Sequence, residues 1–288
     1  MTIVLGTPSV DELSGALDAL REWQHEGAPM QLHPGDLGWY WRFGALATAA
    51  AVRTWSRGDR ILAVGLLDGP DLLRLTVAPD ARHDDELAHR VVGDLAEPGR
   101  GVLPGGRVAV EAPADALVQD VLEERGWGSD EPWTPLRRDL AAPVDEAGLR
   151  VEVVGPDLVH ARTAVQRAAF TTSIFTDDRW NEMAAGPAYA DARCLVAFDE
   201  HDDAVAAVTV WSAGPGRPGL LEPMGVHRDH RGRGYGTAIT VAAAAALREL
   251  GSSSALVCTP SANVGGVATY RRAGFQVRPE VRDRCRSA

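Results

Sequence analysis

The chain has 288 residues, of which 45% are hydrophobic and 24% charged, and its 40 acidic against 29 basic residues give a formal net charge of -11. The length suits two domains of about 140 residues each, with the composition of a folded globular protein. The surplus of carboxylates disfavours nucleic acid and anionic lipid surfaces as partners and favours a cationic small molecule.

The sequence carries no signal for a membrane span, a targeting segment or a metal site. No apolar run approaches the ~20 residues that a span requires, and the N-terminus lacks a basic stretch before an apolar block. Cys194, Cys258 and Cys285 lie far apart without a CxxC pair, so neither a disulfide framework nor bound metal is predicted. We expect a cytoplasmic protein; its oligomeric state is not predicted.

Strand-like and helix-like segments alternate through both halves of the chain, which predicts an α/β or α+β protein. In the first half, LHPGDLGWYWRFG at residues 32–44 clusters Trp39, Tyr40 and Trp41 too closely for a simple amphipathic face. Core packing is one interpretation of this cluster, and a wall of a ligand site is the other. Alanine, proline and acidic residues at 140–148 predict the linker between the halves.

The second half is predicted to form a complete series of strands and helices. The turn sequence DEHDD separates the two strands of a hairpin, and Gly251 and Gly274 follow helices. One helix is apolar on every face and is therefore predicted to be buried. The predicted strands are residues 148–154, 195–198, 204–212, 220–226, 255–259 and 275–281, and the predicted helices are residues 158–170, 237–250 and 264–273.

Similar spacings in the two halves predict a duplicated unit, with domains at residues 1–141 and 148–288. The matching stretches are LTVAPDARHDDEL at residues 75–87 and PMGVHRDHRGRGYG at residues 223–236. Setting Val77 on Val226 places Asp80 on Asp229, Arg82 on Arg231, and Gly126-Trp127 near Gly274-Phe275. The copies differ where the chemistry is expected: the first has Asp85 and Leu87 where the second has Gly234 and Gly236, and it has Leu122 at the position of Tyr270.

The stretch RGRGYG at residues 231–236 lies between a predicted strand and a predicted helix. Its glycines permit a close approach, several backbone N–H groups can face one concavity, and the helix adds its positive dipole end. Such a loop suits a diphosphate; the alternative is a glycine-rich turn with solvated arginines. The spacing is not that of a dinucleotide-binding GxGxxG, and the absence of lysine disfavours a P-loop.

The loop matches the R/Q-x-x-G-x-G/A signature of the GNAT superfamily of acyl-CoA N-acyltransferases, through Arg231, Gly234 and Gly236. VHRDH before it resembles the family's V-x-P-x-x lead-in, with Arg228 where proline is usual, and NVGGVATY resembles a downstream asparagine and tyrosine pattern. The resemblance covers the second half strongly and the first half faintly. It implies an α+β fold of two tandem GNAT-like domains, the first degenerate. Each would be a mixed, mostly antiparallel twisted sheet with helices on both faces.

The resemblance implies acetyl-CoA as the cofactor. Its diphosphate would bind the backbone of the glycine loop, and its pantetheine arm would lie along a strand end where two parallel strands separate, leaving N–H groups that polarise the thioester carbonyl. Asn263 would contact the cofactor near its thiol. The implied cofactor-binding residues are Met224, Gly225, Val226, Arg231, Gly232, Arg233, Gly234, Tyr235, Gly236, Thr237 and Asn263.

Two residues are candidates for proton transfer. The resemblance implies that Tyr270 is the general acid that protonates the departing thiolate; the alternative is a core aromatic residue. Glu222, on the strand that leads to the loop, is our candidate base for an ammonium substrate. Alternatively, Glu222 only binds the cationic acceptor.

The segment FTTSIFTDDRWNEMAAGPAY at residues 170–189 is expected to select the acceptor, because carboxylates beside aromatic faces suit a cationic ligand. The alternative is a surface helix with acidic residues at its N-terminus. The candidate substrate-binding residues are Phe175, Asp177, Asp178, Trp180 and Glu182, together with Trp39 and Trp41 from the first half.

Tandem members of the superfamily include kasugamycin-type aminoglycoside N-acetyltransferases, which this chain resembles in size and acidity. We therefore predict an acetyltransferase for an aminoglycoside antibiotic or amino sugar, conferring resistance by modification. A reaction like that of mycothiol synthase is one alternative, and a non-catalytic acyl-CoA sensor is the other. The sequence does not indicate which nitrogen is acetylated or whether a longer acyl group is used.

Overall fold

A computed structural model describes residues 2–287. The chain forms two compact units, and their division differs from the predicted sequential one. The first unit contains residues 1–33, 45–133 and 280–288, and the second contains 34–44 and 134–279. A short segment of each half of the sequence is therefore packed into the unit formed mainly by the other half.

Strands and helices alternate along most of the chain. The strands are β1 (Ile3–Gly6), β2 (Val52–Arg57), β3 (Arg60–Leu67), β4 (Leu72–Val77), β5 (Val108–Glu111), β6 (Gly128–Asp139), β7 (Arg150–Val153), β8 (Ala192–Phe198), β9 (Ala204–Trp211), β10 (Gly219–Val226), β11 (Ser254–Pro260), β12 (Gln276–Val277) and β13 (Val281–Arg286). The helices are α1 (Leu13–Trp23), α2 (Pro34–Tyr40), α3 (Ala45–Ala51), α4 (Asp85–Ala96), α5 (Leu117–Glu124), α6 (Val159–Ala169), α7 (Asp177–Ala185), α8 (Tyr235–Glu249) and α9 (Val264–Arg272).

In the first unit the strand order is β1-β2-β3-β4-β5-β13-β6. The pairs are antiparallel except for β4 and β5, which run parallel through Leu72↔Ala109, Leu73↔Val110 and Arg74↔Glu111. The predicted mixed, mostly antiparallel sheet is confirmed here.

In the second unit the order is β6-β11-β10-β9-β8-β7, where β6 contributes its residues from 134 onward. β7, β8, β9 and β10 pair antiparallel, and β10 runs parallel to β11. Alanine-rich α8 packs its buried residues, including Ile239 and Leu247, into the core against Leu221 and Phe275. The predicted burial therefore holds for one face of α8, while its remaining residues are half-buried or exposed.

The strands and helices predicted for the second half agree with the observed ones, apart from the last strand. The predicted strand at 275–281 is wrong: residues 278–280, which include Pro279, separate short β12 from β13. Proline cannot donate a ladder hydrogen bond, so the strand breaks there. Among the described residues, no helix has the length and apolar character needed to cross a membrane.

Candidate active site

The glycine loop follows β10 and a 3₁₀ turn at Arg228–His230, and leads directly into α8. Gly232 and Gly234 have φ of +79° and +88°, a region that favours glycine because it has no Cβ. Residues 231–234 are exposed, and Gly234, the N-cap of α8, provides no side-chain cap. The amides of the first turn are thus left for a ligand or solvent, and the helix dipole favours an anion there.

Two arginines of this region bind the C-terminal end of α6. Arg228 donates to the carbonyls of Ala168 (2.9 Å) and Arg167 (3.2 Å), and Arg231 donates to that of Ala169 (2.8 Å). These bonds satisfy carbonyls that α6 leaves without helical partners. Arg233 is exposed and has no hydrogen-bond or ion-pair partner within residues 2–287. Arg233 is therefore the loop arginine whose side chain is available to a phosphate, which the sequence could not distinguish.

β10 and β11 are paired only at Gly219↔Ala255 and Leu220↔Leu256. On its other edge β10 stays paired with β9 through Met224, Gly225 and Val226. The β11 edge of residues 224–226 is therefore without ladder pairing, as expected for strands that separate. A gap of this kind leaves backbone groups to bind an extended ligand.

Gly225 marks a close approach between β10 and the end of α6. A Cβ at this position would lie 2.6 Å from the Cβ of Ala169 and 2.9 Å from the ring of Phe170. Because real Cβ atoms do not make contacts this short, a larger residue would push β10 away from α6. Glycine here holds the open strand end against the helix to which the loop arginines are bound.

Glu222 and Tyr270 are electrostatically coupled. Tyr270, on α9, is only 6% exposed; burial raises the pKa of its phenol, and the negative charge of Glu222 raises it further. The phenol is therefore protonated at neutral pH, as a hydrogen-bond donor requires. Glu222 is half-buried on β10, where the pairing register with β9 shifts between Leu221 and Met224.

Asn263 has a structural role. Its Oδ1 accepts a hydrogen bond from the amide of Gly266 (3.1 Å), and its Nδ2 donates to Oγ1 of Thr259 (3.0 Å). The side chain thus caps the N-terminus of α9, the helix that carries Tyr270, and links it to β11. This arrangement orients α9 whether or not a cofactor also contacts Asn263.

The predicted acceptor segment forms α7. Thr176 caps the helix by accepting from the amide of Arg179 (3.3 Å). Asp177 accepts from Oγ1 of Thr163 and lies 3.2 Å from the imidazole of His160. The Thr163 hydrogen bond, with a smaller effect of His160, lowers the pKa of the Asp177 carboxyl. Asp177 thus links α7 to α6, while Asp178 and Glu182 are exposed.

The aromatic candidates pack mostly against one another. Phe175 is 2% exposed and Trp180 is 7% exposed, so most of each ring lies in the core. Half-buried Trp39 packs against Phe175, with 4.9 Å between ring centroids. Half-buried Trp41 lies against Gly186, where a Cβ would come within 2.7 Å of its ring. Of these four residues, Trp39 and Trp41 retain the more exposed surface.

The turn between β8 and β9 groups Asp199, Glu200 and His201, whose potential metal-ligand atoms lie within 4.8 Å of one another. Oδ1 of Asp199 accepts from the amides of His201 and Asp203, both at 3.0 Å, which shapes the turn. Exposed acidic groups are common without an ion. The absence of a bound metal stays a prediction.

Residues 159–275 match the family model described as "Acetyltransferase (GNAT) family". No curated protein matches the sequence. Among solved structures, a GCN5-related N-acetyltransferase from Sphaerobacter thermophilus is similar at 19% identity and a TM-score of 0.60, over 99% of this chain and 95% of that one.

Two further structures share the fold. A tandem GNAT protein from the clavulanic acid biosynthesis pathway is 15% identical, with a TM-score of 0.58 over 99% of this chain and 98% of that one. A glucosamine N-acetyltransferase region of a fungal multi-domain β-N-acetylglucosaminidase is 15% identical, with a TM-score of 0.55 over 99% of this chain and 38% of that one. At these identities the likeness shows the fold alone, and each of the three matches covers 99% of this chain.

Proposed function

We propose that this chain, whose residues 159–275 match the acetyltransferase (GNAT) family model, transfers an acetyl group from acetyl-CoA to a primary amine of a small cationic molecule. The observation that carries the proposal is the open strand edge at residues 224–226 followed by an exposed glycine loop at the N-terminus of α8. The first suits an extended pantetheine arm, and the second suits a diphosphate.

Within this proposal the backbone does most of the donor binding. Amides of residues 231–237 bind the diphosphate, and Arg233 adds a charge-assisted hydrogen bond. Arg231 acts indirectly, because its guanidinium binds the carbonyl of Ala169 and fixes the loop against α6. Amides at 224–226 hold the thioester carbonyl and stabilise the oxyanion that develops on it.

Glu222 and Tyr270 move the protons. Acetyl-CoA supplies an activated acetyl thioester, whose carbonyl carbon is attacked by the amine nitrogen. Glu222 accepts a proton from the nitrogen, directly or through water, as the new C–N bond forms. The C–S bond then breaks, and protonated Tyr270 donates to the thiolate. A tyrosine phenol is protonated at neutral pH, so Tyr270 carries the proton that this role requires.

An amino sugar, including an aminoglycoside antibiotic, is the acceptor class that we propose. Asp178 and Glu182 present exposed carboxylates on one short helix, and half-buried Trp39 and Trp41 lie in the same unit. Carboxylates attract an ammonium group, and indole faces bind both cations and sugar rings. The similar fungal structure is described as a glucosamine N-acetyltransferase region, in agreement with this class.

CoA release in the presence of different amines tests the proposal. The panel contains aminoglycosides, glucosamine, an aminoglycosyl-inositol with a single amine and a no-amine control that corrects for hydrolysis. We expect turnover with cationic amino sugars. Turnover only with the aminoglycosyl-inositol would instead support a reaction like that of mycothiol synthase, and no turnover with any amine would refute the proposed reaction.

Two variants separate catalysis from binding. Glu222→Gln should lower kcat by roughly 100-fold or more and Tyr270→Phe by roughly tenfold or more, because each removes a proton-transfer group. Calorimetry should find acetyl-CoA affinity within about twofold of the parent protein, since neither side chain holds the diphosphate. Glu152→Gln, which neutralises a carboxylate paired with Arg150 on β7, is the matched control. Acetyl-CoA binding without turnover in the parent protein would favour the sensor.

A further inference from the structure

Trp211 lies at the end of β9 and is 1% exposed. It pairs across the sheet with Leu220 on β10 and Ala192 on β8. Its ring makes an edge contact with Tyr189, at 6.1 Å between centroids. A buried indole N–H without a partner costs free energy, and the identity of its partner gives Trp211 a role beyond packing.

The partner is the main chain of the proposed base. Nε1 of Trp211 donates to the carbonyl oxygen of Glu222 at 2.7 Å. Glu222 lies inside the irregularity between Leu221 and Met224, where β10 departs from regular pairing with β9. The indole therefore binds β10 where the ladder does not, directly before the open edge at 224–226.

The position of the indole is itself fixed by α2, the first-half helix that belongs to the second unit. A Cβ on Gly35 would come within 2.5 Å of the Trp211 side chain, and one on Gly38 within 2.4 Å of its six-membered ring. These two glycines are three residues apart, so they share one face of the helix. The backbone of α2 therefore packs directly on the indole.

We propose that Trp211 is a positioning residue for Glu222, locked in place by the glycine face of α2. Its N–H sets the peptide plane of Glu222, and so the direction of the carboxylate relative to Tyr270 and to the amine. The inference rests on the proposed function, because it assigns Trp211 an effect only through Glu222.

Replacing the N–H while keeping the ring is the direct test. Trp211→Phe, and β-(3-benzothienyl)alanine at position 211, remove the donor; the second keeps a bicyclic ring and tests the same point if the phenylalanine variant does not fold. We expect kcat to fall about tenfold while KM for acetyl-CoA stays within about twofold, because misplacing a reacting group affects the chemical step. The acidic limb of the pH profile of kcat/KM should shift by about 0.5 pH units or more.

The matched control is Trp55→Phe. Trp55 is 0% exposed in the first unit, and its Nε1 donates to Asp94 at 3.1 Å. Loss of this hydrogen bond should lower the unfolding temperature of the protein without changing kcat or the pH profile. In a Glu222→Gln background, Trp211→Phe should lower kcat by less than about twofold, because coupled residues are not additive.

The outcomes separate this inference from the proposed function. If Glu222→Gln impairs turnover and both replacements at position 211 leave kcat and the pH profile unchanged, the positioning role is wrong and the acetyltransferase proposal stands. If Glu222→Gln has no effect on turnover, the base assignment fails and the positioning role fails with it. If Trp211→Phe lowers kcat by the same factor in the Glu222→Gln background as in the parent protein, the positioning role is also wrong.

Discussion

The loops at residues 79–87 and 228–236 have the same strand, 3₁₀ turn and helix order, but they treat the helix N-terminus differently. In the first unit Asp84 caps α4, accepting from the amide of Leu87 at 3.0 Å, and two further carboxylates follow it. In the second unit Gly234 begins α8 without a side-chain cap. The backbone order alone therefore does not make an anion site; the first-turn amides must also be free of an internal carboxylate.

The strands before the two loops also differ: carboxylates occupy the strand edge in the first unit, and the edge is open in the second. In the first unit, Arg74 on β4 donates to its cross-strand partner Glu111 on β5 at 2.8 Å, and Asp283 on β13 adds a second carboxylate nearby. In the alignment of the two halves, Arg74 corresponds to Pro223 on β10. At Pro223 the ladder between β10 and β11 has already ended, because the two strands pair only at Gly219 and Leu220 of β10. An ion pair between strands in one unit thus stands where the other has an open edge.

The largest expected effect comes from giving the second loop the charge of the first. Gly234→Asp should weaken acetyl-CoA binding by about 100-fold or more, roughly 3 kcal/mol, because a carboxylate would compete with and repel the diphosphate. Calorimetry measures the change. Gly101→Asp is the control, since Gly101 also has positive φ, +70°, and no atoms near its Cβ position. Equal acetyl-CoA affinity in both variants would contradict the loop assignment.

The next prediction concerns Arg82 and Arg231, which occupy equivalent positions when the two halves of the sequence are aligned. Arg82 is 7% exposed and bonds to Asp115 and to Oε1 of Gln31 (2.6 and 3.1 Å), whereas Arg231 binds a helix carbonyl. Arg82→Met should lower the free energy of unfolding by about 2 kcal/mol, because it removes the charge-assisted hydrogen bond to Asp115 and the hydrogen bond to Gln31. Denaturant unfolding measures this loss, and acetyl-CoA affinity should be unchanged. A loss of affinity would place part of the cofactor site in the first unit.

A smaller, pH-dependent effect is expected for Asp283. Burial, followed by the charge of Glu111, raises the pKa of its carboxyl from 3.8 to about 6. Its contribution to stability is fully present below about pH 4 and is lost as the pH rises through about 6. Asp283→Asn should therefore raise the free energy of unfolding by about 1 kcal/mol at pH 7.5, after allowing for solvent screening, and the gain should vanish near pH 4.

Unfolding curves at several pH values check this sign. Asp59→Asn is the control, because Asp59 is exposed in the turn between β2 and β3. A gain for Asp283→Asn that is the same at pH 4 and pH 7.5 would show that the carboxyl is not held in its protonated form by the fold.

An effect of similar size concerns the N-terminal cap that distinguishes the first loop. Asp84→Ala should cost about 1 kcal/mol of stability through the lost bond to the amide of Leu87. Glu86→Ala is the matched control, since Glu86 also pairs with Arg57 at 2.9 Å but caps nothing and should cost less than about 0.5 kcal/mol. Thermal unfolding compares them; equal losses would mean that the Arg57 pair, and not the cap, stabilises α4.

The sequence predicted the second-half elements well because glycines, turns and apolar periodicity are local signals. The separation of β10 from β11 was also expected, and the pairing confirms it. The packing of α2 against Trp211 had no local signal, since it depends on contacts over more than 170 residues of sequence. The roles of Arg228 and Arg231 were similarly hidden, because a glycine-rich loop looks the same whether its arginines bind a ligand or a helix end.

The division of the chain has a consequence for how its parts could be separated. Residues 34–44 lie in the second unit and residues 280–288 in the first. Cleavage within the linker at 140–148 would therefore yield two fragments that each lack a piece of their own unit, and the C-terminal fragment would lose the helix beneath Trp211. We expect neither fragment to fold independently as its complete unit, because each half of the sequence supplies a segment that the other half's unit requires.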